Sequence, residues 1–109
     1  MFHAYTNALE LIRALVPVVD KLKTFDANLE DQIVRAATSV SLNISEGSKR
    51  AGKDRRRFYV IAQGSAKEVQ GALDTAEVWG WHADSQRARE LLDRELAMLW
   101  RLCNGRKDG

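Results

Sequence analysis

Apolar residues recur along the chain at intervals of three and four, in four runs separated by short polar breaks. That spacing puts them on one face of a helix. In the first run, Leu9, Ile12, Val16 and Val19 are flanked by Leu11, Leu15, Val18 and Leu22 and predict a helix over residues 6–23 with a wide apolar face. Thr6 or Asn7 is placed to cap it, and Pro17, which lacks an N–H and crowds the carbonyl of Arg13, predicts a kink. The second run, 29–48, carries Ile33, Ala37, Val40 and Ile44, with Asn28 and Asp31 as a capping pair. The third, 54–79, aligns Phe58, Ala62, Ser65, Val69, Ala72, Ala76 and Trp79 opposite a wet face of Gln63, Lys67, Gln70, Asp74 and Glu77. The fourth, 85–103, offers Leu91, Leu92, Leu96, Leu99 and Leu102, with Asp84 or Ser85 as cap, and residues 106–109 read as a frayed tail. Strand-like alternation and internal repeats are absent. The predicted architecture is all-α: residues 1–109 form one domain, an antiparallel up-down-up-down four-helix bundle.

A second, polar stripe runs down the second helix at the same spacing: Gln32, Arg35 or Ala36, Ser39, Asn43, Glu46 and Arg50. If the chain folds back at Ala51 and Gly52, Arg35 lies opposite Glu68, Ser39 near Gln63 or Gly64, Asn43 near Tyr59, and Glu46 near Arg56 or Arg57. An Arg35–Glu68 pair between packed helices fixes register. The stripe, with Ser65, reads either as a structural network or as the lining of a surface groove. Gly64 and Gly71 lie two turns apart in a helix interior, where glycine costs about 1 kcal/mol relative to alanine, so another backbone is expected close to them, within or between subunits.

Composition changes this picture in one place. Seventeen Lys and Arg against fifteen Asp and Glu give a net charge of only +2, so distribution decides what charge can do. Lys49, Arg50, Lys53, Arg55, Arg56 and Arg57 fall within nine residues, with Asp54 the single acid. Such a cluster is suited to phosphate contacts, and an exposed Tyr59 beside it could stack on an unpaired base, with Phe58 assigned to the core. The alternatives are a solvated turn paired to neighbouring acids, or a surface for an acidic protein partner.

The residues also exclude classes of chemistry. One cysteine, Cys103, permits no internal disulfide, and two histidines, His3 and His82, give no metal-ligand spacing. His82 reads as a polar turn residue. No glycine-rich phosphate loop is present, and Ser45 and Ser65 have no nearby histidine to activate them. Hydrolysis at Asn43, Glu46 and Ser65 is therefore not expected, nor is a cofactor. Trp79, Trp81 and Trp100 lie at helix ends, where packing or interface roles are usual. The N-terminus lacks the features of a signal peptide and no run is long enough to span a membrane, so a cytoplasmic protein is expected.

Two segments carry a resemblance. Leu29, Asp31, Gln32, Arg35, Ala36, Ser39, Val40 and the run Asn43, Ile44, Ser45, Glu46, Gly47, followed by Phe58, Ile61, Ala62, Gly64, Ser65 and Glu68, resemble the signature of the four-helix-bundle proteins encoded in intervening sequences of bacterial 23S rRNA genes. The pattern is similar, more distantly, to the accessory protein of diversity-generating retroelements. The resemblance implies a ring-like homopentamer and, through the retroelement relative, a basic surface that binds RNA and a reverse transcriptase. Its matching positions are Arg35, Ser39, Asn43, Glu46, Gly47, Gly64, Ser65 and Glu68; Ser45 departs from the alanine more usual there. The combined expectation is a non-enzymatic oligomer that binds RNA or other nucleic acid through the basic turn. The alternative is a protein-interaction scaffold, for example an accessory subunit to a reverse transcriptase.

Overall fold

The apolar periodicity builds four helices, α1 (His3–Leu22), α2 (Ala27–Ser48), α3 (Gly52–Trp79) and α4 (Gln86–Asn104), in a computed structural model that describes residues 3–81 and 83–105. His82 and the 106–109 tail lie outside the described residues. Short connections force antiparallel neighbours. Each helix packs against the next, and α4 returns to α1 to close a square bundle, with the most extensive contact between α2 and α3. The result is a rod measuring 46 × 22 × 21 Å.

The core is the inner stripe of each helix. Leu11, Leu22, Ile33, Ile44, Leu91, Leu92 and Leu99 are almost wholly excluded from solvent, and full burial of such a side chain contributes about 1.5–3 kcal/mol. Between them, Ala36, Ala37, Ala62, Ala66, Ala72 and Ala76 keep α2 and α3 thin. Several expected core positions instead face solvent: Leu9 and Val16 on α1, Trp79 on α3 and Leu102 on α4. Each lies a step round the helix from the buried stripe.

The helix ends differ from the predicted ones in physically legible ways. α1 begins at His3, ahead of Thr6, and Asn7 is buried inside it. The helix runs through Pro17 to Leu22 with the ring on the exposed side. Asp26, rather than Asn28, caps α2: its extended backbone turns Oδ1 to accept from the amides of Asn28 at 2.8 Å and Leu29 at 3.2 Å. α3 stops at Gly80, whose φ of 80° is a left-handed conformation that glycine adopts without strain. The Trp81 amide then bonds to Ala76 O and the Gly80 amide to Glu77 O, the paired closure of a Schellman motif. Asp84 Oδ1 accepts from the Gln86 amide at 3.3 Å to start α4.

One core position is not apolar. Glu95 sits between Leu91 and Leu99 on the inner face of α4 and is 0% exposed. Asn7 Nδ2 donates to its Oε1 at 2.7 Å and to Leu91 O at 3.0 Å, tying α1 to α4. Glu95 Oε2 has no partner among the described residues. Burial pushes this carboxyl up to about 7, against the opposing effect of the Asn7 hydrogen bond.

Candidate nucleic-acid interface

α2 ends at Ser48 and α3 restarts at Gly52, so the last turn of one and the first turns of the other bring all six cations to one end of the rod. Gly52 makes the reversal tight, with φ of 59°. Lys49, Arg50, Lys53, Arg55, Arg56 and Arg57 are all exposed.

Their charges are not equally available. Arg50 is bidentate on Glu46 Oε2, with Nη2 at 2.7 Å and Nε at 3.2 Å, and its Nη1 reaches Asp54 Oδ2 at 2.9 Å. Arg57 Nη2 contacts the other oxygen of Asp54 at 3.1 Å. These bonds hold the Glu46 and Asp54 carboxyls below their usual range and raise the Arg50 guanidinium further. Arg50 and Arg57 also sit over the ring of Phe58, at 5.0 and 4.4 Å from its centroid. Arg56 Nε donates to Cys103 O at 2.8 Å, fastening the start of α3 to the end of α4 while its charge stays unmatched by an acid. Lys49, Lys53 and Arg55 make no ion pair among the described residues. Four of the six cations thus lack an acidic partner among those residues.

The two aromatic residues exchange the roles the sequence predicts for them. Tyr59 is 5% exposed and closed off from any base, and its burial raises its pKa. Phe58 is half-buried, with the two guanidinium groups over its ring. Gly47 is the reason: a Cβ there would lie 2.7 Å from Tyr59 Cε1 and 3.1 Å from Phe58 Cβ. The missing side chain lets Tyr59 fill the space against α2. Gly64 and Gly71, by contrast, are exposed and meet no atom within 4 Å, so the close approach expected of them does not occur within the chain.

The polar stripe forms with different partners. Ser39 Oγ and Ser65 Oγ are 2.8 Å apart across the α2–α3 contact. Asn43 Nδ2 donates back to Ser39 O at 2.9 Å and to Ser39 Oγ at 3.1 Å. Arg35 pairs with Asp31 one turn earlier, at 3.1 Å, and not with Glu68. Glu46 pairs with Arg50, not with Arg56 or Arg57. Arg35, Ser39, Ser65 and Glu68 still line one open groove, together with Asn28, Asp31, Gln32 and Ala36. The buried Asn7–Glu95 pair was outside the predicted network, although an acid spaced four residues from Leu91 and from Leu99 was its signal.

The charge is polarised along the rod. The end formed by residues 3–10, 43–57 and 99–105 carries seven Lys and Arg against three Asp and Glu. The opposite end, residues 17–31, 74–81 and 83–90, carries eight Asp and Glu against four Lys and Arg. No group of His, Cys, Asp and Glu able to hold a metal ion exists among the described residues, and no helix there is long and apolar enough to cross a membrane.

Fold and charge together define a class: small all-α proteins whose four antiparallel helices present a cationic turn at one end. The 23S rRNA-intervening sequence protein family model matches residues 2–101, and the chain belongs to that family. The fold is similar to the crystal structure of a protein of unknown function from the S23 ribosomal protein family of Bacteroides thetaiotaomicron, with a TM-score of 0.79 and 19% identity over 93% of this chain and 98% of that one. No match exists among curated proteins.

Proposed function

We propose that this protein binds RNA or another nucleic acid through the α2–α3 turn, without catalysing a reaction. The observation that carries the reading is the set of four exposed cations, Lys49, Lys53, Arg55 and Arg56, that no acid among the described residues neutralises. Such groups contact phosphates and release counterions, giving salt-sensitive affinity with little sequence preference. The burial of Tyr59 removes base stacking on that ring, so the contact is to the backbone. Self-association of the cytoplasmic bundle, as the ring that family likeness implies, would repeat this turn around an axis and multiply its effect. Exposed Val34 and Leu42 on α2 supply apolar surface for side-by-side packing.

The test is binding of a mixed-sequence single-stranded RNA across a salt series. Lys49→Glu, Lys53→Glu and Arg55→Glu together are expected to abolish binding, while neutral substitutions lower the log–log salt slope by about one for each phosphate left without its cation. Equal binding by the triple variant would overturn the reading. A second reading, an acidic protein partner without nucleic acid, rests on the same four cations, which a partner's carboxylates would pair as Glu46 and Asp54 pair Arg50 and Arg57.

A further inference from the structure

The end of the rod away from the cationic turn has a feature that nucleic-acid binding leaves unused. Phe25 from the α1–α2 connection, Trp81 from the α3–α4 connection and Trp79 at the close of α3 form a ladder of near-parallel rings, with centroids 6.3 and 5.6 Å apart and planes inclined by 11° and 12°. The ladder ends in solvent: Trp79 is 67% exposed and the adjacent Val78 89%. Asp74 and Glu77, five and two residues earlier on α3, make this end acidic, and only Arg89 among the described residues pairs with them, at 2.9 and 3.2 Å. Toward the cationic end of the same helix lies a second exposed apolar patch. Val60 and Ile61 floor a shallow hollow rimmed by Lys53, Arg56 and Arg57.

From this complementarity we propose that the acidic, Trp79-bearing end of one molecule docks into the basic Val60–Ile61 hollow of a second copy, head to tail. An apolar knob carrying acids meets an apolar hollow carrying bases, and the opposite excess charge of the two ends steers the encounter. The two patches lie on different surfaces of the chain, so the contact is heterologous and leaves a free knob and a free hollow at the ends of every chain of molecules. A contact no wider than the rod's 22 × 21 Å cross-section buries roughly 400 Å² a side, below the range of stable specific interfaces, so the association is weak and salt-sensitive. The proposal goes beyond nucleic-acid binding and does not rest on it; it is tested without RNA.

The experiment is sedimentation velocity over a concentration series, at about 50 mM and about 500 mM salt, where the screening length falls several-fold. The weight-average mass of the wild type is expected to climb with concentration at low salt without reaching a plateau. At high salt it is expected to fall back to a fixed unit, monomer or side-by-side ring. Asp74→Lys with Glu77→Lys, and separately Lys53→Glu with Arg57→Glu, should each abolish the climb. Mixing the two variants should restore it, because each reversed knob then faces a reversed hollow. Trp79→Ser, a change at an exposed side chain, should weaken the climb by about tenfold in concentration even if a reversal variant fails to fold. A mass independent of concentration at low salt, a climb unchanged by Trp79→Ser, or no rescue between two folded reversal variants would each overturn the head-to-tail contact.

Discussion

Replacing Glu95 by glutamine tests the most heavily constrained polar group in the bundle. The carboxyl is 0% exposed, held by one donor and flanked by apolar side chains. Its pKa in the folded protein is about 7 against an ordinary 4.5. A pKa raised by folding means that the folded state binds the proton more tightly, so Glu95 contributes its full stability below pH 4.5 and loses it as pH rises toward about 7. The interval corresponds to about 3 kcal/mol at 1.36 kcal/mol per unit. Glu95→Gln keeps the shape and an oxygen for Asn7 but cannot ionise. Guanidinium unfolding followed by circular dichroism should therefore give nearly equal stabilities for the two proteins at pH about 4, diverging to an advantage of about 3 kcal/mol for the glutamine variant at pH about 8. In a domain of this size that difference moves Tm by roughly 10 °C. A stability difference that stays constant between those pH values would refute the argument, because it would mean that Glu95 titrates alike in the folded and unfolded chains.

The remaining predictions concern packing, capping and register. Gly47→Ala forces a Cβ against Tyr59 and Phe58 and should cost about 1–3 kcal/mol; Gly64→Ala, in open space, should instead stabilise the isolated chain by about 1 kcal/mol, and denaturant midpoints separate the two. If Gly64 packs against another subunit, the same change lowers the mass seen by light scattering while leaving helicity intact. Asp26→Ala removes both bonds to the first turn of α2 and should cost about 1 kcal/mol in thermal unfolding. A double-mutant cycle on Arg35 and Glu68 should be additive, since Arg35 is paired with Asp31; coupling would show that the two charges meet across the groove.

How much of this was legible depended on whether a property was local. Helix number followed from side-chain period, and so did the inner stripes that hold Ile33, Val69 and Leu92, whereas on α1 the buried stripe is Leu11, Leu15, Val18 and Leu22 rather than one through Leu9 and Val16. The pairing across α2 and α3 needed the phase of the turn. Ser39 meets Ser65, one position later than a fold symmetric about Ala51 and Gly52 would give, and one residue rotates a helix face by about 100°. With that offset Arg35 and Glu68 line the same groove, but Arg35 pairs with Asp31 instead. The exchange between Phe58 and Tyr59 had the same origin: which ring enters the core was decided by the space left at Gly47, a tertiary fact with no trace in either residue's propensity. The site itself was half legible. The cluster of cations was visible in the sequence; that Glu46 and Asp54 both reach Arg50, which lies between the two helices, and that Arg56 binds Cys103 O were not.

The uneven placement of acids and bases gives the molecule a large electric dipole along its 46 Å length. A net charge of +2 would by itself give feeble retention on any ion-exchange matrix. A rod with opposite poles can turn either end toward a bead, so the same preparation, in dilute buffer near neutrality, is expected to adhere to both sulfonate and quaternary-ammonium resins. Eluting it then depends on which pole is held, and purification behaviour reports the polarity of the bundle before any ligand is known.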